Sequence, residues 1–362
     1  MADDLAACRQ RIDELDAQLI DLLNQRAEVV LGVGRAKRGD DSAIFVPHRE
    51  KQVFDRLARH NRGPLGAESL RAIWREIMSA SLALEKPLTI CHFAQPGSFT
   101  HMAARLKFGQ SVAYSPVESH AEVFAEVERG HADYGVVPIE NSTDGGITDT
   151  IDCFLTTRLR IVNEMSMRIR HHLMARCSHE EIRRIYSKHT VFGQCHRWLA
   201  AHMPRAELIE TGSTTQAAER AAAETGSAAI GNKEAANAFE LSLIAQDIED
   251  NTSNTTRFLV LADPKRAAEP SGDDKTSIMF GVQDRPGALY EALIPFHAAA
   301  ISLSRIESRP SKRQPWEYLF FIDILAHEKD HRVRDALAEL ARCTSVLQVL
   351  GSYPRASTPL ND

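Results

Sequence analysis

At 362 residues the chain is too long for one compact core, which predicts two or three domains. A hydrophobic share of 43% and a charged share of 25% are those of an ordinary soluble globular protein, while a net charge of −6 speaks against nucleic acid and no apolar run approaches a membrane span. Six scattered cysteines fit reduced thiols, and the acidic start Met1-Ala2-Asp3-Asp4 lacks a secretory signal; together they predict a cytoplasmic protein.

From Asp3 to Lys37, Leu5, Ile12, Leu15, Leu19, Leu22, Val29, Val30 and Val33 recur at helical spacing and predict one long helix. Three cations fall on or beside its apolar side. At ~100° per residue, Arg26 lies about 20° from Leu19 and Val33, and Lys37 lies one turn beyond Val33. Arg9 shares the Leu5/Ile12 side. A buried unpaired cation is costly, so the stripe implies either internal salt bridges and snorkelling side chains or a pocket for a small polyanion. Pro47 opens a second helix carrying Arg49, Glu50, Val53, Phe54 and Leu57, and a third runs from about Ala67 to Leu84 with Leu70, Ile73, Ile77, Ser81 and Leu84 along one side. Three helices, the first roughly 50 Å long, cannot enclose a core within one chain. Arg9 is roughly 25 Å along the axis from Arg26 and turned by about 100°, so a shared small ligand requires a second copy of the chain. The block predicts an interlaced homodimer.

After Pro87 the pattern changes. Short apolar strands (Leu88–Phe93, Tyr134–Ile139, Arg183–Tyr186, Ala228–Ile230 and Phe258–Leu261) alternate with helices, which argues an α/β block of two lobes with a cleft between them. Neither a GxGxxG nor a GxxxxGK[ST] string is present, so no dinucleotide or nucleoside triphosphate is expected. A polar, Pro- and Gly-containing stretch from Ala262 to Asp274 reads as a linker. Beyond it Thr276–Val282, Gly287–Ala299, Ile301–Glu307, Glu317–Leu325, Arg332–Arg342 and Val346–Leu350 follow the ferredoxin-like βαββαβ order.

The α/β block holds the most specific strings: Gly135-Val-Val-Pro-Ile-Glu-Asn-Ser142, Ser187, Gln194-Cys195, Ser213-Thr214-Thr215 and Asn254-Thr255-Thr256-Arg257-Phe258. Singly, such Ser and Thr residues cap helices or close turns. In this order and spacing they resemble the prephenate dehydratase family, the first block resembles the all-helical chorismate mutases, and the last resembles the ACT modules. The whole chain is similar to the bifunctional chorismate mutase/prephenate dehydratases. The expected architecture is therefore multidomain: an all-α chorismate mutase block that interlaces in a dimer (1–86), a two-lobed α/β dehydratase (88–262), and an α+β ferredoxin-like ACT module (275–354).

The resemblance implies two sets of active-site residues and one effector site. Arg9, Arg26 and Lys37 correspond to the cations that hold the two carboxylates and the ether oxygen of chorismate. Glu50 corresponds to the carboxylate that accepts the substrate hydroxyl, and Ser81 and Glu85 complete the mutase site. Glu85 donates a hydrogen bond only when protonated, and many relatives carry Gln there. Lys37, Glu85 and Thr256 are the catalytic residues implied, Thr256 assisting loss of the ring hydroxyl of prephenate. Asn141, Ser142, Gln194, Ser213, Thr214, Arg257 and Phe258 are implied to bind prephenate, although an ion pair is an equal alternative for Arg257. Cys195 has nothing to attack and reads as structural. Two departures from the family stand out: Val46 replaces a frequent acidic residue, and Ser187-Lys188-His189-Thr190 replaces Ser-His-Pro-Gln. Gly287, Ala288 and Leu289, with Glu307, Ser308, Arg309 and Pro310, correspond to phenylalanine-binding motifs. The expected partners are chorismate, prephenate, the effector phenylalanine and at least one further copy of the chain, with no cofactor, metal, nucleic acid or membrane.

Overall fold

The computed structural model of the chain describes residues 2–36, 45–310, 318–356 and 359–360. Three helices come first: α1 (Ala2–Ala36), α2 (Pro47–His60) and α3 (Ala67–Glu85). Pro47 begins α2 at a position where a helix has no use for the N–H that proline lacks. Both α1 and α2 rest on α3, yet Leu5, Ile12, Leu15, Leu19, Leu22 and Val29 of α1 remain 44–69% exposed. The helical block thus leaves uncovered the apolar face that its sequence encodes. Phe45 anchors the block to the next one. It is buried between Phe108 and Tyr134, with ring centroids at 4.9 and 5.5 Å.

Two α/β lobes follow. The first contains β1 (Thr89–Phe93), α4 (Phe99–Phe108), β2 (Ala113–Val117), α5 (His120–Glu128), β3 (Tyr134–Asn141), the short β4 (Gly145–Gly146), α6 (Thr148–Cys153) and β5 (Arg160–Arg168). The chain then crosses into the second lobe: β6 (His172–Ala175), β7 (Arg184–Ser187), α7 (His189–Gln194), α8 (His196–His202), β8 (Glu207–Glu210), α9 (Thr214–Ala223), β9 (Ser227–Gly231), α10 (Lys233–Ala238) and β10 (Ser242–Ala245). It returns as β11 (Thr255–Ala262), which inserts antiparallel between β3 and β5. The sheet orders are β2-β1-β3-β11-β5, with β4 on β3, and β10-β6-β9-β7-β8. The return is what builds the cleft: it sets Thr256 opposite Asn141, at the start of one strand and the end of the other.

The C-terminal module comprises β12 (Asp274–Val282), α11 (Ala288–Ala298), β13 (Leu303–Pro310), β14 (Tyr318–Ile324), α12 (His331–Cys343) and β15 (Val346–Pro354), in the expected order. Its sheet runs β13-β14-β12-β15. One face carries Ile278, Phe280 and Ile322 against its own helices. The other carries Met279, Phe321 and Tyr353 into the core of the first lobe beside Ile161 and Leu259. Alternate residues of β12 thus serve two cores. At Gly351 a Cβ atom would stand 2.1 Å from the Ile161 carbonyl oxygen, so β15 lies on β5 only because this residue is glycine. The 262–274 stretch differs from a free linker. Arg266 pairs with Asp133 at 2.9 Å and stands over the Tyr134 ring, and the Ala268 carbonyl meets His327 Nε2 at 3.1 Å. No described helix is long and apolar enough to cross a membrane.

Candidate active sites

The first site is a cavity of about 320 Å³ where α1, α2 and α3 meet α4. Arg26 from α1, Arg49 and Glu50 from α2, Ser81 and Glu85 from α3, and Lys107 from α4 line it. Arg26 donates to Ser81 Oγ, and Ser81 donates in turn to the Ile77 carbonyl at 2.7 Å. Among the described residues no carboxylate pairs with Arg26, and burial lowers its guanidinium below the ordinary arginine range. Arg26 thus lines the cavity with the Ser81 hydroxyl as its hydrogen-bond partner. Gly34 lets α1 approach α3 at Glu85, where an added Cβ would meet Glu85 Cγ at 3.2 Å.

Arg9 does not line this cavity and lies on the exposed part of α1. Lys37 lies outside the described residues. Arg49 joins the site unannounced by the sequence; its only signal is adjacency to Glu50. Glu50 itself is held by Lys107 at 2.5 Å, a partner that nothing in the first block could announce.

The second site lies between the lobes. The Asn141 side-chain oxygen accepts the backbone N–H groups of Thr143 and Asp144 at 2.9 and 3.0 Å, which fixes which way its amide faces. Its NH₂ therefore points inward and donates to Asn254 Oδ1 and Thr256 Oγ1, both at 2.9 Å. Because the Thr256 hydroxyl accepts this bond, its own hydrogen is left to donate. From the second lobe, Gln194 donates to Asp144 at 2.7 Å and accepts from Asn254 at 3.0 Å. The same Gln194 oxygen meets His171 Nε2 at 2.7 Å, so His171 carries its hydrogen on Nε2. Burial lowers His171 below the usual histidine range and keeps it neutral. Ser142 Oγ accepts from the Thr255 N–H at 2.9 Å and clamps β3 to β11 at the cleft.

Ser213 and Thr214 stand apart from this network. Ser213 Oγ caps α9 by accepting the Gln216 N–H, and Thr214 is buried close to Gly231. Among the described residues no hydrogen bond joins either to Thr256. Cys195 is fully buried and burial pushes its thiol up, as suits a structural residue.

Two expected prephenate ligands are not in the cleft. Strand alternation puts Thr256 and Phe258 on one face of β11 and Arg257 on the other. Phe258 is buried in the core beneath α4. Arg257 reaches across to the C-terminal module, bonding Glu164 at 2.6 Å, Tyr353 at 2.9 Å and Asp323. Its burial opposes the charge, but Tyr353, Asp323 and Glu164 outweigh that and hold the guanidinium protonated well above its ordinary range. It is a structural ion pair, the other of the two alternatives. Two further cleft residues carry no role in the sequence pattern: Asn254, which stands in a motif without an assigned part, and His171, whose partner lies 23 residues away and leaves no local signal.

In the last module Gly287 adopts a left-handed φ of 82° and opens α11, with Ala288 buried behind it and Leu289 packed on the module core. On β13, Arg305 contacts Glu140 at 3.4 Å and pairs with Glu307, whose carboxylate lies where a side chain on Gly146 would stand. Arg309 meets Asp152 and Thr148, each at 3.3 Å, while Ser308 and Pro310 alternate outward. Among the described residues no hydrogen bond or ion pair joins the Gly287 turn to β13.

Three families match the sequence in order: chorismate mutase type II over residues 8–86, prephenate dehydratase over 90–266 and the ACT domain over 276–342. A bifunctional chorismate mutase/prephenate dehydratase of Aquifex aeolicus is 42% identical over 98% of this chain and 99% of its own length. One from Stutzerimonas stutzeri is 41% identical over 98% and 99%. A solved prephenate dehydratase from Arthrobacter aurescens, in complex with L-Phe, superposes with a TM-score of 0.70 at 34% identity, covering 75% of this chain and 92% of that one. The chain belongs to the family of bifunctional chorismate mutase/prephenate dehydratases.

Proposed function

We propose that the α1–α3 cavity and the Asn141–Thr256 cleft are the two active sites of one enzyme of phenylalanine biosynthesis. It rearranges chorismate to prephenate, then decarboxylates and dehydrates prephenate to phenylpyruvate, without a cofactor. The observation that carries the first assignment is Arg26, a partly desolvated cation with a hydroxyl as partner, in a cavity of the size that small ligands occupy. The rearrangement is pericyclic, so the pocket needs no nucleophile. It needs cations to clamp the two carboxylates in a reactive conformer and donors for the negative charge that grows on the ether oxygen. Arg26 and Arg49 supply the first requirement, Lys37 and Glu85 the second, and Glu50 accepts the substrate hydroxyl.

Arg9 enters from a second copy of the chain. The exposed apolar stripe of α1 from Leu5 to Val29 supports an interlaced homodimer, since it carries Arg9 along the surface that a second α1 would cover.

In the dehydratase cleft the C–C bond to the departing carboxylate gives its electron pair to the ring as carbon dioxide leaves, and the ring hydroxyl departs as water. Thr256 donates to that hydroxyl through the hydrogen that Asn141 leaves free, and aromatisation drives the step. Asn141, Ser142, Gln194, Ser213 and Thr214 hold prephenate. Phenylalanine binds where the Gly287–Leu289 turn and the Glu307–Pro310 strand of paired modules meet, and it inhibits. The L-Phe complex of the Arthrobacter aurescens relative supports that effector. The protein works in the cytoplasm.

Substitution of Glu85 tests the site. Glu85→Ala is expected to lower mutase kcat/KM by about 10²-fold or more, Glu85→Gln, which keeps a hydrogen-bond donor, is expected to retain it, and both keep wild-type prephenate kinetics. Wild-type mutase kinetics in Glu85→Ala contradict the assignment.

A further inference from the structure

One wall of the mutase cavity comes from the other enzyme. Lys107 and Phe108 end α4 of the dehydratase lobe, and both line the cavity with Arg26, Glu50 and Glu85. Lys107 Nζ lies 2.5 Å from Glu50 Oε2, and the two side chains are only 14% and 12% exposed. The ammonium also stands 5.4 Å from the centroid of the Phe45 ring. That ring is locked between Phe108 and Tyr134, so the aromatic cluster that docks the helical block also sets the position of Lys107.

Glu50 faces a particular electrostatic problem. A carboxylate that accepts the substrate hydroxyl sits in the same small pocket as a ligand with two carboxylates of its own, and like charges at such separations repel strongly when partly desolvated. Arg26 cannot serve both, because it donates to Ser81 on α3 and faces the ligand's charge. Lys107 supplies a counter-charge in direct contact with Glu50, nearer than Arg75, which lines the same cavity and interacts with Glu50 through charge alone. The pair also holds the Glu50 carboxylate in place, since a charge-assisted bond is short and strong.

We infer that Lys107, a residue of the dehydratase lobe, is a positioning residue of the mutase site that aims Glu50 and offsets its repulsion toward the substrate dianion. The inference rests on Glu50 accepting the substrate hydroxyl. It makes the neighbouring lobe part of the mutase pocket, while among the described residues Lys107 makes no contact with the Thr256 network.

The test uses the full chain and four variants: Lys107→Met, Lys107→Arg, Glu50→Gln and the double variant Lys107→Met/Glu50→Gln. Losing a charge-assisted hydrogen bond predicts a fall in kcat/KM for chorismate of about 10- to 100-fold in Lys107→Met. Repulsion acts on bound substrate and transition state alike, so the loss falls on KM with kcat little altered. Lys107→Arg recovers most of it, the double variant is no worse than Glu50→Gln, and prephenate kinetics stay at wild-type values throughout. A wild-type chorismate KM in Lys107→Met overturns the inference. So does a double variant whose loss is the product of the two single losses, or a joint loss of both activities with a lowered thermal midpoint. If Glu50→Gln itself keeps wild-type chorismate kinetics, the assignment of Glu50 fails first and the role of Lys107 falls with it.

Discussion

A Thr256→Val enzyme is expected to turn over prephenate about 10²- to 10⁴-fold more slowly, the range for loss of a positioned proton donor, while its chorismate kinetics stay those of the wild type. Valine keeps the shape and the strand preference of threonine, so β11 retains its place between β3 and β5. What disappears is the hydroxyl that accepts from Asn141 and donates outward. Asn141 keeps its bonds to Thr143, Asp144 and Asn254, so the cleft survives with one unmet donor, a penalty of about 1–3 kcal/mol. Thr256→Ser restores the hydroxyl and should recover a large part of the rate. The separate assays decide the matter: unchanged prephenate turnover in Thr256→Val would remove Thr256 from the chemistry, and loss of both activities would mark it as a folding residue.

Arg257→Met should have the largest effect on stability. The change leaves Glu164, Asp323 and the Tyr353 hydroxyl around an uncharged side chain, with Lys275 at 2.9 Å from Glu164 as the nearest remaining cation. Removing one partner from a buried ionic cluster costs about 3–5 kcal/mol. For a domain of about 150–250 residues that corresponds to a thermal midpoint lowered by about 6–20 °C. The cluster ties the strand bearing Thr256 to β12, β14 and β15 of the C-terminal sheet, so the first thermal transition reports their separation. An unchanged midpoint together with a raised KM for prephenate would instead make Arg257 a substrate ligand, as its place in the Thr-Arg-Phe string first suggested.

That string shows where sequence and structure part. The apolar run predicts a strand from Phe258, three residues later than the Thr255 at which β11 begins. Outside that run the sequence sets no facing for Thr256 and Arg257, whereas a strand sends neighbouring residues to opposite faces. β5 escapes the pattern for a related reason: Arg160–Arg168 buries the polar Asn163 and Glu164, the latter paired with Arg257 and Lys275 from strands distant in sequence, so no apolar run announces it. β2 carries Pro116 on a sheet edge, which masks a strand. The helical block is legible because its apolar residues recur at a period of 3.6, even where α1 leaves them exposed, and the C-terminal module because its elements follow one another closely with turn signals between them. Ser213 follows the simpler meaning of such residues, a helix cap. Glu50 is legible as a site residue, but its tie to Lys107 is not, since 57 residues and a domain boundary separate them.

One chain carries two chemistries, the first in the pocket proposed to be shared between copies and the second in a cleft within each copy. Mixing two mutase-dead variants tests it most directly. Arg9→Ala and Arg26→Ala are each expected to lose chorismate turnover and to keep prephenate turnover. When the two are unfolded together and refolded, mixed dimers carry one pocket with both arginines intact and one with neither. Random pairing then restores about a quarter of the wild-type mutase activity, while dehydratase activity is the same before and after mixing. A mixture that stays mutase-dead, although mixed dimers form, would contradict a pocket completed by Arg9 of a second copy.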